Sequence, residues 1–335
     1  MKKLSLLLIG LLLIPSLLLT SCDKGDDPDV VITPTFTVLK DYMINNNLDI
    51  DKIIKSPAGA MFVQGAPAND DALALTAFLA KYYIIDIRTA EAFAAGHIQG
   101  AKNVPFANIL AEGAAAGSKP VLVVCYTGQT ACYATALMRM YGFSETQALK
   151  WGMSGWNPTT AGPWNNATGD IAKDSPNWKY TAAPAPMVYS DPAISSLSQD
   201  GATILKSRVE LAVQDGFKTV KNSDVLANPN NYFINNYFNS EDYLAFGHLD
   251  TANKILPLTL ADNSYKGLNP AAGAKIATYC YTGQTSAVVT ACLRVLGYDA
   301  YSLSFGMNGL YHSNTAWKSN QWNVDSKPKT LPLVQ

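Results

Sequence analysis

Cys125 and Cys280 each open the same hexapeptide, CYTGQT, 155 residues apart in a chain of 335. Each ends an apolar run, VLVVCY or KIATYCY, and each is followed by apolar residues at helical spacing. A loop from the C-terminal end of a strand to the start of a helix presents unpaired N–H groups at the positive end of the helix dipole. A thiol held there has its thiolate stabilised, so the pattern predicts a lowered pKa and a nucleophile active at neutral pH. Gly128 and Gly283 let the loop curl, so that successive N–H groups aim at the sulfur. A cysteine that ends a buried strand can also be no more than a small core residue. Two identical loops, followed by helices whose letters differ, favour a shared functional loop instead. Cys132 and Cys292 stand at non-equivalent helical positions and keep the core reading.

The elements that must position these loops can be read from the same offset. CYTGQTACYATALMRMYGF faces CYTGQTSAVVTACLRVLGY, and both copies reach a Gly-aromatic pair at Gly142 or Gly297. ALKWGMSGW faces SLSFGMNGL; upstream, AEAFAAGHIQGAKNVP faces EDYLAFGHLDTANKILP, with one extra residue in the second copy. A period this long means duplicated domains, not a solenoid. The runs YYIIDI and VLVVCY predict buried strands of a parallel sheet. Ala131, Ala134, Leu137, Met138 and Tyr141 mark a helix that stops at Gly142; Ala287, Ala291, Cys292 and Val295 mark its counterpart. The fold class is α/β, with two tandem domains, each a mainly parallel sheet flanked by helices. The expected boundaries are 36–180 and 193–335, joined by a linker at 181–192. The Pro/Asn/Gly-rich stretch 157–192 contains Trp164 and Trp178, so part of it is expected to pack on the first domain.

Residues 1–21 read as a secretory leader, with a basic start, an apolar run and LTSC at Leu19–Cys22. That end resembles a lipobox, which implies a lipid on Cys22, a tether over 22–35 and a membrane partner through the anchor. The implied location is the envelope of a Gram-negative bacterium, with the outer membrane favoured. Loss of Lys2 and Lys3 leaves 23 basic residues against 26 acidic ones. With no basic stripe, nucleic acid is excluded as a partner. No C-x-x-C occurs and His is scarce, so no metal site is expected. A Cys125–Cys132 disulfide is disfavoured as well. Seven helical residues span about 10 Å, beyond the roughly 7 Å that a bridge allows.

Residues 84–106, IIDIRTAEAFAAGHIQGAKNVPF, followed by VVCYTGQTA and GMSGW, resemble a rhodanese domain. The chain thus resembles a tandem rhodanese-like lipoprotein. The resemblance implies a sulfurtransferase that moves sulfane sulfur through a cysteine persulfide, from thiosulfate, a persulfide or a polysulfide to a thiophilic acceptor. Its partners would be a small sulfur-containing substrate and a thiol acceptor; no cofactor is implied. Cys125 and Cys280 would be the nucleophiles. Tyr126, Thr127, Gly128, Gln129 and Thr130, with Tyr281, Thr282, Gly283, Gln284 and Thr285, would form the cradles. Asp86, Arg88 and Glu91 would form a supporting charge cluster, and His97 and His248 would be structural. Met153, Trp156 and Met307 would line the pocket mouths. Related cysteine phosphatases need an Arg six positions after the Cys to clamp phosphate; Ala131 and Ser286 stand there instead. The second copy departs from the pattern, with Asp86-Ile87-Arg88 replaced by roughly Asn235-Asn236-Tyr237. Neither loop carries a cation beside its Cys, so doubly charged thiosulfate gains less on binding. The other reading is a non-catalytic module of the cell envelope that carries persulfide or acts as a scaffold.

Overall fold

The apolar runs become the middle of two parallel sheets. The computed structural model describes residues 33–335. In the N-terminal half, β1 (Val63–Gln64), β2 (Tyr83–Asp86), β3 (Lys102–Asn103), β4 (Val121–Val124) and β5 (Gln147–Leu149) form a 5-stranded sheet ordered β1-β5-β4-β2-β3. β6 (Trp178–Lys179) follows, and then β7 (Thr219–Val220), β8 (Phe233–Asn236), β9 (His248–Leu249), β10 (Ile276–Tyr279) and β11 (Ala300–Leu303). Four of these form the second sheet, ordered β7-β11-β10-β8. All pairings within the two sheets are parallel. β4 and β10 lie inside their sheets and every residue in them is buried, which is why VLVV reads as an apolar run without alternation and β10 breaks that pattern only at Thr278.

Each central strand runs through its CYTGQT loop into a helix, Gln129–Met140 in one half and Gln284–Val295 in the other. Gly142, at φ 115°, follows the first helix and supplies the left-handed residue that ends it. The two helices pack on each other, and their Ala, Cys, Leu and Val side chains share one core. Cys132 and Cys292 are buried in that core, and all four described cysteines are free thiols.

The register corrects the alignment of the two halves. Asp86 lies opposite Val124, the residue before Cys125. Asn236 lies opposite Tyr279, the residue before Cys280. The counterpart of Asp86-Ile87-Arg88 is therefore Asn236-Tyr237-Phe238, one residue later than the sequence suggested. The extra residue in the second copy blurs the frame, and only strand pairing restores it.

Part of the connecting segment packs on the first half, as expected, and part of it on the second. Trp178 packs in the core of the second half, its Nε1–H donates to Phe246 O at 3.1 Å, and β6 pairs antiparallel with β9. Trp164 sits between the halves, with Trp151 on one side and Phe305 and Trp322 on the other. The C-terminal segment returns the exchange. Leu331 packs with Trp156, and Val334 bridges to His97 in the first half. Residues 34–335 accordingly form one compact unit. The leader-like segment and Cys22 lie outside the described residues. Among the described residues no helix is long and apolar enough to cross a membrane.

Candidate active site

The Cys125 loop is a cradle of amides. Gly128 N–H donates to Cys125 Sγ at 3.1 Å and Ala131 N–H at 3.3 Å. Gly128 makes this possible by adopting φ 86° at the start of the helix, a conformation that a side chain would strain. The loop is braced from behind by the short helix Gly152–Trp156. Met153 N–H donates to Cys125 O at 2.8 Å, and Ser154 N–H to Tyr126 O at 3.0 Å. A Cβ on Gly152 would run into Cys125 O and the amides of Thr127 and Gly128, so only glycine lets the brace approach. Gly306, Met307 and Asn308 repeat the device under Cys280. The shared GMxG segments are thus the seats of the loops.

Burial reverses the expected direction of the thiol. Cys125 is 3% exposed, and loss of water pushes its pKa above the ordinary 9.0. The amides of Ala131, Thr127 and Gly128 pull the other way without winning, and the Asp86 charge adds to the rise. Desolvation of a thiolate outweighs a few amide dipoles when the sulfur sits behind a strand end. Burial pushes the thiols of Cys132 and Cys292 further up.

Of the expected charge cluster, two members meet. Arg88 and Asp86 form a buried bidentate pair, with Nη2 to Oδ2 at 2.7 Å and Nε to Oδ1 at 3.0 Å. Arg88 Nη2 also donates to Gly96 O at 2.8 Å. Breaking such a pair leaves an uncompensated buried charge and costs about 3–5 kcal/mol. Glu91 is exposed in the first turn of the helix Ala90–Ala95 and does not join them. His97 Nδ1 bonds Phe93 O, and both His248 ring nitrogens bond carbonyls, so both histidines hold backbone. Met153, Trp156 and Met307, expected at the pocket mouths, are buried within hydrophobic cores. Apolar size marks all three, but only packing separates a core wall from a rim.

Tyr126 and Tyr281, identical in sequence, have different surroundings. Tyr126 is 39% exposed, lies over the Arg88 guanidinium at 5.8 Å and bonds Thr89 Oγ1 at 3.3 Å. In the second half Phe238 replaces Arg88 and stacks on Tyr281 at 4.3 Å between ring centroids. Phe246 and Trp317 pack around it, and the Tyr281 hydroxyl bonds Asp242. Burial opposes ionisation of Asp242, yet the bonds from Tyr281, Lys318 and Asn239 together bring its carboxyl below the ordinary value. Cys280 is 2% exposed and receives Ser286 N–H at 3.4 Å. Its thiol points to Ser286 Oγ at 3.7 Å, where the first loop has Ala131.

The remaining cradle residues divide by direction. Thr127 O accepts from Trp164 Nε1 at 3.0 Å, and Thr282 Oγ1 accepts from Gln284 N at 3.3 Å. Thr130 and Thr285 are half-buried in the first helical turns. Gln129 and Gln284, read as cradle residues, point away from their own sulfurs and across to the other half. Gln129 Oε1 accepts Phe305 N–H at 2.8 Å, and Gln284 Oε1 accepts Trp151 N–H at 3.2 Å. Gly283, at φ 75°, approaches Gln129 so closely that a Cβ there would collide with the amide. The two loops therefore seat one another. The repeated Gln was the signal, but its partner could not be named without the structure.

Residues 70–159 match the family model described as the rhodanese-like domain. That range contains Asp86, Arg88 and Cys125. Over 77 residues the chain is 39% identical to the thiosulfate sulfurtransferase GlpE of Pseudomonas fluorescens, which amounts to 23% of this chain and 71% of that protein. Over 88 residues it is 32% identical to GlpE of Pseudomonas paraeruginosa, 26% of this chain and 78% of that one. A solved thiosulfate sulfurtransferase from Pseudomonas aeruginosa aligns over 86% of this chain at 16% identity with a TM-score of 0.30. This chain spans 49% of that chain's length.

Proposed function

The chain belongs to the rhodanese family, and on that premise we propose that it is a sulfurtransferase working through a persulfide on Cys125. The observation that carries this reading is the pair of amides directed at Cys125 Sγ at the end of a central parallel strand. Once the thiol has lost its proton to water, the thiolate attacks the outer sulfur of the donor. With thiosulfate, a bond forms between Cys125 Sγ and that sulfur, and sulfite leaves with the electron pair of the broken S–S bond. An acceptor thiolate or cyanide then attacks the outer sulfur, and Cys125 thiolate is the leaving group. The N–H groups stabilise negative charge on sulfur in both steps, and being already in place they cost little reorganisation.

Neither loop places a cation directly after its Cys, which favours a persulfide or polysulfide over thiosulfate as donor. The two halves are read as tandem copies, supported by the repeated strand–loop–helix units and the shared braces. In the second copy the Tyr281 cluster favours a non-catalytic role, as a scaffold for the first. The LTSC motif supports a lipid anchor at Cys22 and a place in the cell envelope. Metabolic labelling with a fatty acid in wild-type and Cys22→Ala cells tests that point.

The function is tested by incubating the protein with thiosulfate or polysulfide, measuring intact mass, and then adding cyanide and assaying thiocyanate. Gain of one sulfur followed by thiocyanate formation supports the enzyme. Loading without turnover supports the carrier. No gain with any donor overturns both.

A further inference from the structure

The two halves repeat each other closely enough that departures from the repeat stand out, and two of them fall in one place. A pocket of about 170 Å³ lies against the outer side of the second loop. Tyr281, Thr282, Gln284 and Thr285 line it from the second half with Asn320 beside them, and Lys150 and the apolar edge 61–63 line it from the first.

The first departure is a charge. Lys150 precedes Trp151 as Ser304 precedes Phe305, and both backbones pair alike, Lys150 N to Gln64 O and Ser304 N to Val220 O. The second loop thus faces an ammonium where the first loop faces a serine position. Lys150 Nζ donates to Asn320 Oδ1 at 2.8 Å and forms no salt bridge among the described residues. Burial pulls its pKa down, opposed by the charge of Asp325. Asn320 is itself fixed, since its carbonyl accepts Asn308 Nδ2 at 2.9 Å.

The second departure is a free donor. Gln129 Nε2 donates within its own loop, to Thr127 Oγ1 at 3.2 Å. Gln284, 2% exposed, has its Oε1 committed to Trp151 N–H, while its Nε2 is buried with no partner. A buried N–H left without an acceptor destabilises the fold. An ammonium without a carboxylate and an amide without an acceptor beside one small pocket call for the same occupant, an anion with several acceptor oxygens. The volume is below that of ordinary small-molecule sites, about 300–1,000 Å³, and suits a compact ion.

We propose that this pocket binds a small tetrahedral oxyanion, held by Lys150 Nζ and Gln284 Nε2 with the Thr282 and Thr285 hydroxyls nearby. It is separate from the cradle of Cys125. Choosing sulfite and thiosulfate as the occupants rests on the sulfur-transfer reading; binding of an oxyanion does not.

The test uses the protein with Cys125→Ala and Cys280→Ala, so that no sulfur chemistry intervenes. Sulfite, thiosulfate, sulfate and inorganic phosphate are titrated against tryptophan fluorescence and by calorimetry, at ionic strength held constant with chloride. Trp151 lies 5.7 Å from Lys150 Nζ and serves as the reporter. Saturable binding is expected, weakened at least about tenfold in Lys150→Gln and kept in Lys150→Arg. A melting curve shows that each variant is folded. No saturable binding of any of the four ions, or equal binding in a folded Lys150→Gln, overturns the site. Preference for sulfite or thiosulfate assigns it to the sulfur chemistry, and preference for phosphate overturns that assignment. Sulfur loading of the wild type is read separately by mass, so failure of the sulfurtransferase reading is distinguishable from failure of this one.

Discussion

The two CYTGQT loops share every letter and the same backbone scaffold, yet the surroundings of their tyrosines divide them. In the first half Tyr126 rests, partly exposed, on the buried Asp86–Arg88 pair. In the second, Asn236 and Phe238 occupy those positions, and Tyr281 is clasped by aromatic rings and Asp242. The first sulfur has two amide donors at 3.1 and 3.3 Å; the second has one at 3.4 Å and a hydroxyl partner. The lesson is that a loop can be retained for reasons other than turnover. Here each Gln closes an N–H group under the other loop, so losing one loop would unseat its neighbour.

The largest effect expected from this contrast is on turnover. Cys125→Ala should lower thiocyanate formation by at least about a thousandfold, as removal of a covalent nucleophile does. Cys280→Ala should change it less than about twofold by the same assay. Comparable losses would erase the distinction between the halves. Next is stability. Arg88→Met should cost about 3–5 kcal/mol in urea unfolding by leaving Asp86 charged and unpaired. The double variant Asp86→Asn with Arg88→Phe imports the second half's solution and should recover most of that loss. If it recovers none, the two solutions are not interchangeable.

Much of the site was legible in the sequence because the chemistry is local. A strand end, a glycine and a helix start follow one another within the hexapeptide, and their letters alone indicate a cradle. What was not legible depends on neighbours far along the chain. The direction of the Cys125 shift follows from burial, which no hexapeptide encodes. The counterpart of Arg88 was misplaced by one residue, since an insertion hides the frame that β8–β10 pairing restores. Gln129 was counted with its own loop, and nothing nearby names Phe305 as its partner. Trp164 and Trp178 come from one segment, and nothing in its letters says that the first reaches the preceding half while the second completes the other.

Smaller effects sharpen the picture. Gln129→Ala strands the Phe305 N–H and should destabilise the protein by about 1–3 kcal/mol. Because Gln129 braces the second loop, it should also speed alkylation of Cys280 more than that of Cys125. A reversed order of labelling would contradict the cross-bracing. The gentlest probe is pH. With its pKa raised by burial, Cys125 is mostly protonated at neutrality. Its alkylation rate should therefore climb about tenfold per pH unit from 7 towards 9 without levelling. A plateau near pH 7 would mean that the amides outweigh desolvation after all.

The most direct test of the central claim is site-resolved. The wild-type protein is given a short pulse of polysulfide, its thiols and persulfides are trapped with iodoacetamide, and its peptides are mapped by mass. The Cys125 peptide is expected to carry the added sulfur first and lose it to an acceptor thiol, while the Cys280 peptide stays largely unmodified. Loading of Cys280 as fast as Cys125, with release to the same acceptor, would contradict that claim.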